Sequence, residues 1–158
     1  MRTVWLDGCR LPLLALCVWL LCPTDAHGQQ GLAPAQREAT AVAHAERLSL
    51  AGRDTEGLAV LESLLLEQPT SVSGLVLFLQ LAERRGEAAR VLPWAERAVA
   101  AAGQGGASAR QVWIRALSAA GHSDSAEAVA TEWVRSAPEE QAAYSELAAL
   151  VARSAGEE

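Results

Sequence analysis

Side chains that could do chemistry are few and scattered in this chain of 158 residues. The three cysteines, Cys9, Cys17 and Cys22, all lie near the amino terminus, and His44 and His122 are 78 positions apart. A zinc site or a catalytic triad needs His, Cys, Asp or Glu at short, characteristic spacings or in a recognisable set. Neither His44 nor His122 has such neighbours. The sequence therefore predicts no enzyme, no metal and no cofactor.

Two other short segments resemble functional motifs without completing them. The glycine-rich run 103–106 lacks the Lys and Ser/Thr of a phosphate-binding loop and follows no strand, so we expect a flexible linker. The acidic pair Glu139-Glu140 lies where a helix is predicted to begin, and carboxylates there suit the helix dipole. Neither segment indicates catalysis.

Composition sets the fold class. Apolar residues make up 51% of the chain, Lys and Asn are absent, and all 13 basic residues are therefore Arg. Ala, Leu, Glu, Arg and Gln are strong helix formers, whereas the β-branched residues that favour strands are scarce. We expect an all-α protein. The net charge of −6 argues against a nucleic-acid partner.

The amino-terminal segment is predicted to be a signal peptide covering residues 1–28. An apolar run of 12 residues, 11–22, follows Arg2 and Arg10, and it is shorter than the about 20 residues that span a bilayer. Small residues then allow cleavage after Ala26 or, by preference, after Gly28. We expect an exported protein, periplasmic or secreted, whose mature chain has no membrane span. Lipidation at Cys17 or Cys22 and an uncleaved anchor are the alternatives.

Two series of helix-breaking residues divide the rest of the chain into units of 34 or 35 residues. Gly52, Gly86, Gly121 and Gly156 are spaced by 34, 35 and 35. Pro69, Gly103 and Pro138 repeat the spacing of 34 and 35. Glycine is favoured just after a helix, and proline ends one. Between these markers, apolar residues recur at helical spacing and predict helices over 58–68, 126–137 and 141–154.

Start signals accompany these helices. Thr55, and either Ser123 or Asp124, have the side chains that cap helix amino termini. The helix over 141–154 is predicted to cap the fold, covering the apolar face of 126–137 and turning Glu140, Glu146 and Arg153 to water.

The paired helices and their markers resemble the tetratricopeptide repeat family, whose unit is a 34-residue helix–turn–helix. The third unit carries the resemblance best, through Trp113, Ile114, Leu117, Gly121, Ala126, Ala130, Trp133 and Pro138. The first unit follows through Ala45, Leu48, Gly52, Gly57, Leu61, Leu64 and Pro69. The second departs from the pattern, since Val91 replaces a small residue, Gly103 replaces the closing proline, and Pro93 falls inside a helix.

The resemblance implies an α/α superhelix of about three helix–turn–helix repeats plus a carboxy-terminal helix. After a linker over 29–37, the repeat domain covers 38–158, with repeats at about 38–71, 72–106 and 107–140 and a partial or capping helix at 141–155. A plain helical bundle and other helix-pair repeats are the alternative folds. The resemblance also places His44, Trp113 and Trp133 in the core, with Trp94 as an exposed exception on the convex side.

In this family the first helices of successive units line a concave groove that binds peptides or partner proteins. By position, the groove would include Leu50, Leu77, Val112 and Ser118 beside the main candidates, which are Glu46, Ser49, Val76, Gln80, Glu83, Arg84, Gln111 and Arg115. Arg84 and Arg115 are the preferred partner contacts because a guanidinium can bind a carboxylate through two hydrogen bonds. The alternative for both is a solvated charge on an exposed helix face.

The function expected from the resemblance is a non-catalytic protein–protein interaction module, or scaffold, of the bacterial cell envelope, whose partner is a protein or peptide. One alternative is the amino-terminal repeat segment of a larger envelope assembly. Another is a helical protein that binds a small ligand or glycan through Trp94 and the groove.

Overall fold

The computed structural model describes residues 33–103 and 106–155, and these residues form helices joined by short turns, with no strand among them. The expected all-α class is therefore confirmed for the described part of the chain. In order, the elements are α1 (Pro34–Leu50), α2 (Asp54–Glu67), α3 (Val72–Arg84), a 3-10 turn (Ala88–Val91), α4 (Leu92–Ala102), α5 (Ala107–Ala119), α6 (Ser123–Ser136) and α7 (Gln141–Ser154). The predicted signal peptide, its three cysteines, Gln104, Gly105 and Gly156 lie outside the described residues.

The first helix begins earlier in the chain than the sequence predicts. Helices begin at Val72, Ala107 and Gln141, where the second, third and last units were predicted to start. Helix α1 begins at Pro34, so residues 34–37 of the predicted linker are helical. The reason is local: Pro34 occupies the first turn, and the Gln36 side chain accepts a hydrogen bond from the Ala33 amide at 3.3 Å.

Three of the marker glycines end helices as predicted. Gly52, Gly86 and Gly121 have φ angles of 73°, 71° and 81°. At the end of α5 the amide of His122 donates to the Leu117 carbonyl at 2.9 Å and that of Gly121 to the Ser118 carbonyl at 3.1 Å. Residues around Gly52 and Gly86 repeat both bonds. This pairing is the Schellman motif, which satisfies the last carbonyls of a helix.

The predicted amino-terminal caps were wrong. Helix α2 begins after Arg53 and α6 after His122, and neither of those residues makes a side-chain capping bond. Thr55 and Asp124 fall inside the first turn, because the Schellman turn leaves a single residue before the next helix begins. The side-chain cap lies elsewhere: the Ser71 hydroxyl accepts a hydrogen bond from the Gly74 amide at 3.1 Å at the start of α3.

Pro93 lies at the start of α4 rather than inside a longer helix. The residues before it form the 3-10 turn, and α4 is shorter than α2 and α6, with 11 residues against 14 each. Proline is tolerated in a first helical turn, where its missing N–H has no partner to lose. Val91, at the end of the 3-10 turn, is fully buried.

Except for α3 and α4, each helix packs on the next one along the chain, and α3 packs instead on the 3-10 turn that precedes α4. The first helices of the units also pack on one another. The closest approach of α1 and α2 depends on Gly57, since a Cβ atom there would stand 3.2 Å from the Ala45 carbonyl oxygen. The core falls into two clusters. One lies among α1 to α5 around Leu61 and Phe78, and the other lies among α5 to α7 around Trp133.

Three predicted side-chain positions need correction or refinement. His44 is exposed, not buried in the core, because α1 presents Ala45 and Leu48 to α2 instead. Trp94 is half-buried against the first cluster rather than exposed. Trp133 is buried as predicted, at 2% exposure, and Trp113 is half-buried.

Helix α7 is rotated relative to the prediction. It packs on α6, as expected for a cap. However, Glu146 is buried at 9% exposure, whereas Tyr144 and Val151 are exposed at 47% and 50%. The Glu146 carboxylate faces polar partners on α5, described below. Ala143 and Leu147 pack on the second core cluster, so only part of the apolar side of α7 is exposed.

Candidate functional site

A groove of about 820 Å³ is formed by α3, α5 and α7. Leu79 and Val112 are buried in its floor. Around them lie small or polar residues and four charged ones; the lining residues are Val76, Leu79, Gln80, Glu83, Val112, Arg115, Ser118, Ala119, Ser145, Glu146, Ala149 and Arg153. We call this cavity the α3/α5/α7 groove.

The groove brings together half of the main candidates from the sequence. Val76, Gln80, Glu83 and Arg115 line it, as do Val112 and Ser118. Glu46, Ser49, Arg84 and Gln111 are not among its lining residues, nor are Leu50 and Leu77. Leu50 is instead 89% exposed at the end of α1. The structure therefore places the cavity between the second unit and α7 rather than along α1.

Arg115 is held at the groove by a carboxylate that the sequence had placed in solvent. Its Nη2 lies 3.3 Å from Oε1 of Glu146, and the Gln111 amide donates to the same oxygen at 3.4 Å. The Arg115 side chain keeps 63% of its surface exposed, so its remaining N–H groups point to water. Thus α5 supplies two donors to one α7 carboxylate, and the guanidinium stays available to a ligand.

Arg84 has a different environment from Arg115. Its Nη2 donates to the Ser49 hydroxyl and lies 3.4 Å from Oδ1 of Asp54. These bonds connect α3 with the end of α1 and the start of α2. Arg84 therefore joins the first two units, and Ser49, another predicted groove residue, is its partner.

The sequence did not indicate the contribution of α7 to the groove. Ser145, Glu146, Ala149 and Arg153 all come from this helix. Arg153 donates to the Ser118 hydroxyl of α5 across the groove. The one available signal was the spacing itself, since Ser118 and Arg153 are 35 residues apart, like other repeat-related pairs.

The groove has the kind of lining that can bind a ligand. It combines an apolar floor with two carboxylates and two guanidiniums. Among residues 33–103 and 106–155, no group of three or more His, Cys, Asp or Glu side chains could hold a metal ion. His44 lies on α1 in a shallow hollow with Arg47 and Arg53, and His122 precedes α6.

The perturbed carboxyls of the protein lie outside the groove. Hydrogen bonds from Arg85 and Arg90 lower the pKa of the Glu87 carboxyl below its ordinary value. A hydrogen bond from Arg53 lowers the pKa of Glu56 in the same way. Both carboxyls pair with arginines two or three residues away in the chain, and these local ion pairs are the cause of the lowered pKa values.

Within the described residues, none of the helices is long and apolar enough to cross a membrane. Comparison of the chain with protein-family models, with curated proteins and with solved structures finds no match in any of the three.

Proposed function

We propose that the protein is a non-catalytic interaction module that binds a peptide or partner protein in the α3/α5/α7 groove. The observation that carries this proposal is the groove itself, which offers about 820 Å³ of open space. It is lined by α3, α5 and α7, the helices that begin the second, third and last units. Cavities of such size, with an apolar floor and a few polar groups, are the usual form of a binding site.

The chemistry of the lining favours a chain segment as ligand. Ala119, Ser145 and Ala149 are small and exposed, which leaves room for a backbone to approach α5 and α7. Leu79 and Val112 offer an apolar floor to one or two side chains, and exposed Val76 extends it. Arg115 and Glu83, at the sides, can pair with groups of opposite charge on the ligand.

We further propose that the helix pairs stack as a tetratricopeptide-like superhelix and that the protein acts in the cell envelope after export. The repeated Schellman turns at 34- and 35-residue intervals support the first point. The apolar run over 11–22, flanked by arginines and small residues, supports the second.

A groove-filling variant tests the proposed function. Ala149 is exposed and lines the groove, so Ala149→Trp fills the space without disturbing the core. Ala59, exposed on α2 and not among the groove residues, provides the matched control Ala59→Trp. Tagged full-length protein and both variants are expressed in the native cells and crosslinked, and each is then purified together with the proteins crosslinked to it.

We expect the wild type and Ala59→Trp to retain the same defined protein and Ala149→Trp to lose most of it. Circular dichroism must show that all three proteins are folded. Equal retention by Ala149→Trp would show that the partner binds another face, and the groove assignment would then be wrong.

A further inference from the structure

A second cavity, of about 370 Å³, opens between α5 and α6. Its lining residues are Arg110, Trp113, Ala128, Val129, Glu132, Trp133 and Ser136, and we call it the tryptophan cleft. None of them lines the α3/α5/α7 groove. The volume lies within the about 300–1,000 Å³ typical of small-molecule sites.

The tryptophan cleft lies on the far side of α5 from the groove. Successive residues of an α-helix are rotated by about 100°, so Arg110 and Trp113 project opposite to Arg115 and Ala119. A ligand in the cleft and a peptide in the groove would therefore occupy separate sites.

The walls of the cleft are aromatic and apolar. Trp133 is only 2% exposed, and its ring nitrogen already donates to Oε2 of Glu140 at 2.7 Å. Its polar atom is satisfied, and its ring is almost wholly buried under the cleft. Trp113 and Val129 are half-buried beside it. Flat apolar groups pack favourably on such rings, by burial and by stacking.

One charged group in the cleft lacks a charged partner. The Arg110 guanidinium lies over the Trp133 ring, with Cζ 5.8 Å from the ring centroid, and Nη2 donates to the Gly103 carbonyl at 3.3 Å. Within the described part of the chain, the arginines without a carboxylate partner are Arg47, Arg97, Arg110 and Arg153. The other three are exposed, whereas Arg110 is half-buried.

A half-buried guanidinium with unused N–H groups favours a carboxylate, which it can bind through two hydrogen bonds. Glu132, the carboxylate that lines the cleft, is bound by Arg135 at 2.7 and 2.9 Å and forms no ion pair with Arg110. Since Glu132 also adds negative charge at the edge of the cleft, a singly charged anion fits better than a phosphate dianion.

We propose that the tryptophan cleft binds a flat apolar molecule carrying one carboxylate, with the ring system against Trp113 and Val129 and the carboxylate on Arg110. The same two groups occur in a free aromatic acid and at the carboxy terminus of a peptide that ends in an aromatic residue. The chemistry that the cleft recognises is common to both.

Titration calorimetry of the purified protein with 2-naphthoate tests the proposal, with 2-naphthamide as the uncharged control ligand. We expect the acid to bind, and we expect the affinity of the amide to be lower by about tenfold or more, because the amide cannot form the charge-assisted hydrogen bond. Arg110→Gln should lower the affinity for the acid by a similar factor. Arg97→Gln, which removes an exposed and unpaired arginine on α4, should leave its affinity unchanged.

A second variant keeps the test valid if Arg110→Gln alters the fold. Ala128 is exposed and lines the cleft, so Ala128→Phe should fill the cleft and abolish binding in a folded protein. Acetyl-Gly-Phe and its carboxy-terminal amide repeat the comparison for a peptide end, and the tighter of the two acids identifies the source. No heat of binding for either acid at millimolar concentration, or equal affinity for acid and amide, would overturn the proposal.

Discussion

Buried polar side chains hold specific places in this protein, and each has a partner on another helix or turn. Trp133 donates to Glu140 at 2.7 Å, which joins α6 to the residue that precedes α7. Ser71, at 4% exposure, caps α3 and donates to Oε1 of Glu38 on α1 at 2.8 Å. A buried donor left without a partner costs about 1–3 kcal/mol, more than most exposed ion pairs contribute.

The Trp133–Glu140 hydrogen bond gives a prediction at the residue scale. Glu140→Ala should lower the free energy of unfolding by about 1–2 kcal/mol, because the indole N–H of a buried tryptophan loses its acceptor. Glu139→Ala is the matched control, since Glu139 is adjacent and exposed. Urea denaturation followed by tryptophan fluorescence measures both. Equal stabilities for the two variants would contradict the hydrogen bond's role.

Helix ends and helix starts obey different rules in this chain. The ends follow Gly and Pro, because a left-handed residue or a missing N–H stops a helix whatever surrounds it. The starts depend on how many residues the preceding turn consumes. Ser71 follows a longer turn and caps its helix, whereas Ser123 follows a Schellman turn and lies at the first helical position without a capping bond.

This difference predicts unequal effects for two serine substitutions. Ser71→Ala should destabilise the protein by about 1–2 kcal/mol, since it removes a cap and leaves the Gly74 amide unpaired. Ser123→Ala should change stability by no more than about 0.5 kcal/mol, as expected of an exposed site with no such role. Thermal unfolding by circular dichroism checks both, and a larger loss for Ser123→Ala would show that the cap assignment is wrong.

The sequence predicted the elements better than their rotation. Helical spacing and helix-breaking residues predicted the observed bounds of α7. They did not predict which face it buries, because the partners of Glu146 are Gln111 and Arg115, more than thirty residues earlier in the chain. His44 was misplaced for the same reason, since helical spacing alone does not fix the orientation of α1 over α2. Four groove residues followed from repeat position, but the pairing of Arg84 with Ser49 and Asp54 is a cross-unit contact that spacing alone does not reveal.

At the scale of the described molecule, two core clusters share side chains. Leu92, at the start of α4, and Trp113, on α5, pack against both clusters. In stacked helix pairs, each unit is stable largely through its neighbours. These two residues should therefore couple the unfolding of α1 to α4 with that of α5 to α7.

Removing one of these links should weaken the coupling. Leu92→Ala should lower the free energy of unfolding by about 2 kcal/mol. This is the lower end of the range for leucine-to-alanine changes, because the Leu92 side chain is only half-buried. It should also separate the unfolding transitions seen by circular dichroism and by tryptophan fluorescence, which should coincide in the wild type. Leu66→Ala, at a leucine that is 58% exposed on α2, should do neither. Coincident transitions in Leu92→Ala would argue against two coupled clusters.

The most direct test of the account is to map which face of the protein touches its partner. A photo-crosslinking amino acid placed at Ala119 or Ala149 lies in the α3/α5/α7 groove, and one placed at Ala59 or Ala101 lies on exposed α2 or α4. On irradiation in the native cells, we predict one defined crosslinked protein from both groove positions and none from the two controls. The same crosslink from Ala59 or Ala101, with none from the groove, would contradict the claim that the groove is the binding surface.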